Sequence, residues 1–179
     1  KERLDRAPNL RLIANVESNF MPNVDYEECH RRNIYVLSTA PVFAQPVAEM
    51  ALGLALSSAR RIAQADAAIR RGDETLYGEG DNYDSFLLQG KPLGLLGFGN
   101  LGRALLPLLR PFSRELLVHD PWIHPNVLVA QGVEPVSFDE LFARSKVIFV
   151  LAATTTENQG MIGARHFAAM QPGAVFVLV

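Results

Sequence analysis

Three glycines do most to limit how this chain can fold. Residues 94–103 read GLLGFGNLGR, with Gly97, Gly99 and Gly102 in G-x-G-x-x-G spacing. Glycines are common in turns, so the spacing alone is a weak signal. Here it directly follows an apolar run, Leu93 to Leu96, and opens a helical pattern, the context that gives the spacing meaning. Gly97 permits the tight turn, Gly99 lets the backbone approach a pyrophosphate, and Gly102 lets helix and strand pack closely. Amides near Asn100 and Leu101 then meet phosphates at the positive end of the helix.

The second half of this dinucleotide fingerprint is Asp120, at the end of the run ELLVH. A carboxylate there hydrogen-bonds the adenosine ribose hydroxyls. It also discriminates against a 2′-phosphate. A unit charge ~4 Å away at an effective dielectric of ~20 is worth about 4 kcal/mol before screening. No arginine or lysine follows in HDPWIH, residues 119–124, to neutralise such a phosphate. The residues therefore favour NAD over NADP.

After Gly90 strand and helix patterns alternate. Strands are expected at 92–96, 115–119, 147–152 and 174–179, with a weaker one near 133–136, and helices at 101–110, 138–144 and 164–170. Ser137 and Glu140 form an S-x-x-E capping box at the start of the second helix. Such alternation implies an α/β fold, a Rossmann-like doubly wound parallel sheet with helices on both faces. Pro107 fits poorly, since a proline inside a helix should kink it at a cost of roughly 3 kcal/mol.

Upstream the pattern is thinner. Residues 9–15 read as a strand, Asp25 caps a short helix ending near Asn33, and a second strand runs from Ile34 to Ser38. Two strands and one short helix cannot bury a core alone, so they read as the remnant of another α/β domain. A long helix is expected from Pro46 to about Arg71, with Pro46 in its first turn and Gly72 as terminator. Val47 to Leu56 is apolar on nearly all sides, which predicts burial of Val47, Met50, Ala51 and Leu54 against the cofactor domain or a second subunit. The organisation expected is a substrate-domain segment at 1–45, a helix and linker at 46–90, and the nucleotide-binding domain at 91–179.

A net charge of −2 leaves no electrostatic footprint for nucleic acid. The most apolar stretch, Met50 to Leu56, is shorter than the ~20 residues that span a bilayer, so no membrane partner is expected. The single cysteine, Cys29, excludes an internal disulfide framework and suits a reducing, cytoplasmic compartment. It sits in the helical stretch YEECH, residues 26–30, with no activating neighbour, and reads as structural. No metal site is expected.

With these residues in view, the chain resembles the D-2-hydroxyacid dehydrogenase family over nearly its whole length. QGKPLGLLGFGNLGRAL is similar to that family's G-K-T-L-G-I-I-G-x-G-x-I-G-R segment, and His119-Asp120-Pro121-Trp122 to its Y-D-P-aromatic turn. SKVIFVLAATTTENQGMI, residues 145–162, aligns without gaps on S-D-V-V-x-x-H-x-P-L-T-x-E-T-x-G-L-I. MQPGAVFVLV resembles M-K-P-G-A-x-x-V-N-x, and Pro46-Val47-Ala48-Glu49 resembles the V-A-E opening the interdomain helix.

The resemblance implies two Rossmann-like domains, the second a flavodoxin-like substrate domain, with NAD and a small 2-hydroxy or 2-keto acid between them. It implies hydride transfer and a homodimer joined around the cofactor domains. It places Ala152 and Thr154 beside the cofactor, and Ser18 and Asn19 in the substrate loop. Family catalysis uses an arginine and a histidine–glutamate pair, which the register places beyond Val179, so no catalytic residue is expected among these 179. His30, His119, His124 and His166 match no catalytic position and read as structural or exposed.

Two departures bear on function. Ser18 and Phe20 stand where the substrate loop has glycines, and Leu151-Ala152-Ala153 replaces H-x-P. The altered loop keeps a second reading open, an NAD-sensing binding protein of the family's corepressor branch.

Overall fold

The computed structural model describes residues 2–15, 23–73, 85–153, 155 and 157–179. Ser18, Asn19 and Thr154 lie outside them. The chain divides into two compact units, Lys1–Ala44 and Gln45–Val179.

The first unit opens with a one-turn helix α1, Glu2–Asp5, that the sequence reading did not anticipate. Strands β1, Leu12–Asn15, and β2, Tyr35–Ser38, pair in parallel, with helix α2, Tyr26–Arg31, between them in sequence. Asp25 caps α2 by accepting from the Glu28 N–H at 3.0 Å, and Asn33 adopts φ 56° in place of glycine. Leu4, Cys29 and Ile34 form the unit's small core, with Cys29 only 1% exposed.

Helix α3 runs Ala40–Ala59 and α4 runs Ile62–Arg70, where one helix starting at Pro46 was expected. Each difference has a physical cause. Pro46 lies inside α3, on an exposed turn shared with Val42, so the carbonyl that proline leaves unpartnered can face water. The break comes at Arg61, whose φ of 53° is left-handed, while the Ala59 carbonyl accepts from the Phe86 N–H at 2.9 Å. At 20 residues α3 is also long and apolar enough to cross a membrane, unlike the short stretch read from sequence. Within the second unit, however, Ala48, Ala51, Ala55 and Ala59 are buried in the sheet's core cluster. These four recur at helical spacing, and their small side chains let α3 pack close to its neighbours. Met50 and Leu54 point elsewhere and are 61% and 42% exposed. Their expected burial therefore does not occur within this chain.

The second unit is built on five parallel strands in the order β5-β4-β3-β6-β7. They are β3 Leu93–Leu96, β4 Leu116–His119, β5 Glu134–Pro135, β6 Val147–Val150 and β7 Val175–Leu178. Pro135 is tolerated because β5 lies at the sheet edge. Numbered from β3, the order is 3-2-1-4-5, five strands of the doubly wound arrangement. Alternate residues bury against opposite layers. Leu93, Leu95, Val118 and Phe149 join a cluster with helix α5, Asn100–Leu109, and with Leu128 of helix α6, Pro125–Ala130. Leu96, Leu117, Ile148 and Val150 pack with Leu141 and Phe142 of helix α7, Phe138–Arg144. Helix α8, Ala164–Ala169, contacts α7. Helices thus cover both faces, as the strand–helix alternation implies.

Two details depart from expectation. α5 continues through Pro107 as helix, with Arg103 and Pro107 both on its exposed face. α6 carries too few apolar repeats to register as a helix, yet Pro125 at its first turn and His124 as cap start it, with His124 Nδ1 accepting from the Asn126 N–H at 3.2 Å. The Ser137–Glu140 capping box forms with both reciprocal hydrogen bonds.

Candidate nucleotide site at the switch point

Neighbouring strands β3 and β6 send their following segments to opposite sides of the sheet, and ligands of open α/β sheets bind in the crevice at the carboxyl ends of such strands. Here that position holds Gly97, after β3, and Leu151-Ala152, after β6. The Gly97 N–H donates to His119 O, and the Leu151 N–H donates to Leu96 O, both at 2.9 Å, so the ladder holds to the rim of the crevice.

The three glycines differ in what a side chain would meet. Gly97 has φ 97°, and a Cβ there would lie 2.9 Å from Ala152 N. A Cβ on Gly102 would lie 2.8 Å from Gly97 O. At Gly99 a Cβ would meet nothing within 4 Å, and no side chain caps the helix that Gly99 begins. The amides of Asn100 and Leu101, in the first turn of α5, are among those a helix leaves without internal acceptors. A cradle of this kind, open at Gly99 and closed at its neighbours, fits a pyrophosphate approaching the backbone.

Asp120 follows β4 and is half-buried. Its Oδ2 accepts from the Phe98 N–H at 2.8 Å and its Oδ1 from the Trp122 N–H at 2.9 Å. The structure thus brings Asp120 to Gly97–Gly99, residues the sequence could link only by motif. The Asp120–Phe98 bond is a feature the sequence reading missed, while Asp120–Trp122 is the side-chain-to-backbone turn typical of aspartate two residues ahead. Phe98 is fully buried, with the Arg103 guanidinium 5.5 Å from its ring centroid.

Ala152 abuts the glycine turn, as the Gly97 geometry shows. Beyond it Asn158 organises the loop: its Oδ1 accepts from the Thr155 N–H at 2.8 Å and its Nδ2 donates to Ala153 O at 2.6 Å. Asn158 was not singled out from sequence, although amide side chains that bond nearby backbone are a familiar loop signal. His119 and His166 are structural in their geometry, while His30 and His124 are exposed. His119 Nδ1 is 2.9 Å from Val136 O, so that nitrogen carries the proton. His166 is 4% exposed between Phe138 and Phe142, and its Nδ1 accepts from the Gly163 N–H. Among the described residues no cluster of three metal-ligating side chains occurs.

Comparison with known proteins decides the family. The sequence model of the D-isomer specific 2-hydroxyacid dehydrogenase NAD-binding domain matches residues 52–179. The chain belongs to this family. The family's cofactor is NAD, and residues 52–179 are its NAD-binding domain. Glyoxylate reductase of Thermococcus litoralis is 34% identical over 180 residues, covering 99% of this chain and 54% of that protein. A crystal structure of a phosphoglycerate oxidoreductase from Rhizobium etli superposes with TM-score 0.78 at 44% identity, covering 99% of this chain and 56% of that one. The apo-structure of D-lactate dehydrogenase from Escherichia coli gives TM-score 0.73 at 30% identity, with 99% and 54% covered. The chain thus spans about half the length of each of these three proteins.

Proposed function

We propose that the protein carrying this chain is an NAD-dependent dehydrogenase acting on a small D-2-hydroxy acid or its 2-keto counterpart. Bound NADH supplies the hydride. This chain's own residues bind and orient the nucleotide: the amides of Gly99, Asn100 and Leu101 face its pyrophosphate, Gly97 and Gly102 hold the loop that presents them, and Asp120 accepts from the ribose hydroxyls. Ala152 lines the crevice on the β6 side, and the family likeness adds Thr154 as a cofactor contact. Ser18 and Asn19 contribute to the substrate loop of a domain to which residues 1–45 belong. Glyoxylate, pyruvate and hydroxypyruvate phosphate are the substrates to try first, because relatives are named for glyoxylate, lactate and phosphoglycerate chemistry.

The observation that carries the reading is the Asp120 carboxylate bonded to the glycine turn at the switch point. It is tested by following NADH oxidation by the full-length protein with each keto acid. Tight NADH binding without turnover on any of them would favour the NAD-sensing reading instead.

A further inference from the structure

Trp122 is the chain's single tryptophan and is 87% exposed. Its backbone is anything but loose. The Trp122 N–H donates to Asp120 Oδ1, while Asp120 Oδ2 accepts from Phe98 N–H in the glycine turn, so one carboxylate ties both segments together. The next residue, Ile123, packs against the sheet core, and α6 starts two residues later at Pro125. The indole is therefore carried on a turn anchored at both ends. A large aromatic held in place yet left uncovered is poor use of apolar surface unless something flat covers it.

We propose that Trp122 is a platform for the adenine base of the bound nucleotide. The inference rests on the reading of Asp120 as the ribose ligand, and it follows from covalent reach. The base is joined to the ribose carbon next to the 2′-hydroxyl that Asp120 would hold. Two residues of chain extend at most ~7 Å, a distance comparable with a nucleoside. Stacking needs no hydrogen-bond readout from the protein, since every base has a π-face. Asp120 then sets which ribose is accepted and Trp122 holds the base attached to it. Val127 and Val129 on α6 are also exposed, at 44% and 59%, so a protein interface here is the competing occupant.

The test is calorimetric titration of the full-length protein with AMP, nicotinamide mononucleotide and NADH, in native, Trp122→Ala and Trp122→Phe forms. Trp122→Ala should weaken AMP and NADH by the same factor, roughly tenfold, the lower part of the range for removing one base–aromatic stack. It should leave nicotinamide mononucleotide unchanged, and Trp122→Phe should restore most of the AMP affinity. Equal losses for AMP and nicotinamide mononucleotide would mark a general structural effect and overturn the proposal. So would unchanged AMP affinity, with or without a change in self-association. If NADH binds natively while only these Trp122 outcomes fail, the nucleotide site stands and the platform does not. If the native protein binds neither AMP nor NADH, both readings fall.

Discussion

The Phe98 N–H donates to Asp120 Oδ2 at 2.8 Å, which makes the carboxylate expected to read the ribose a structural member of the glycine turn as well. A substitution at Asp120 therefore has two separable effects. Asp120→Asn keeps an oxygen that can accept from Phe98 but removes the charge, whereas Asp120→Ala removes both. The native protein should prefer NADH to NADPH, and both variants should narrow that preference, by at most the ~4 kcal/mol of an unscreened contact at dielectric ~20. Only Asp120→Ala should also lose stability, about 1–3 kcal/mol, because the amide of a buried residue is left without its acceptor. Cofactor titrations alongside urea unfolding separate the two. Equal native affinity for NADH and NADPH would sink the assignment.

The glycines give a sharper dissection of folding from binding. Gly97→Ala combines a φ of 97° with a Cβ 2.9 Å from Ala152 N, and Gly102→Ala places one 2.8 Å from Gly97 O. In each case the obstacle is backbone, which cannot swing aside, so both variants should be less stable by about 1–3 kcal/mol. Gly99 has a negative φ of −74° and free space around its would-be Cβ. Gly99→Ala should fold with native stability and still bind NADH at least about tenfold more weakly, because the added methyl stands where the backbone must approach the phosphates. Native affinity in Gly99→Ala would mean the pyrophosphate lies elsewhere.

Much of this was legible in the sequence because it is periodic or positional. The strands after Gly90 are nearly continuous apolar runs, as expected of strands buried on both faces, and the glycine spacing pointed to the tight turn after β3, where Gly97 has φ 97°. Where the reading failed, the cause was a tertiary contact. The helix break at Arg61 carries no glycine or proline; it is set where Phe86, far along the chain, takes the Ala59 carbonyl. Apolarity without size predicts burial of Met50 and Leu54 against the cofactor domain or a second subunit, yet within this chain it is the alanines that fit against the sheet. The Phe98–Asp120 bond spans segments that only the sheet brings together, so no spacing rule could reveal it.

Gly94 illustrates a requirement the motif does not include. It lies in β3 on the face covered by α7, and a Cβ there would sit 2.2 Å from Ser145 Oγ and 3.0 Å from Leu141 Cδ1. Ser145 is fully buried, and its hydroxyl has no hydrogen-bond partner among the described residues. Gly94→Ala should cost about 1–3 kcal/mol by overpacking. Ser145→Ala should be neutral or stabilising by up to about 1 kcal/mol, since it removes a buried polar group without breaking a bond. The double variant should recover part of the Gly94→Ala loss. Urea midpoints of the three decide it, and a strongly destabilised Ser145→Ala would show that the hydroxyl has a partner after all.

The exposed side of α3 bears on assembly. With Met50 and Leu54 outside this chain's own core, the homodimer implied by the family likeness has an apolar surface to use. In the full-length protein, Met50→Glu with Leu54→Glu should shift sedimentation from dimer to monomer at micromolar concentration while NADH binding persists. A native monomer at that concentration would remove this role from α3.

The last prediction concerns acid stability in the first unit. Glu28 accepts from Arg31 Nε at 2.8 Å and from Arg32 Nε at 2.7 Å, and Arg32 also pairs with Asp5. Hydrogen bonds from Arg31 and then Arg32 lower the Glu28 carboxyl from 4.5 to about 2. Because the folded value lies below the unfolded one, the stabilisation is complete above about pH 4.5 and is lost as pH falls towards 2. Glu28→Gln should therefore be less stable than native at neutral pH, and the two proteins should converge near the acid end of that window. Glu134 and Glu140 are lowered too, by Arg144 and by Ser137, so bulk unfolding would mix their contributions with that of Glu28. Amide hydrogen exchange at β1 and β2, residues 12–15 and 35–38, isolates the first unit. Identical acid dependence there in native and Glu28→Gln proteins would show that the arginine pair contributes nothing specific to holding α2 in place.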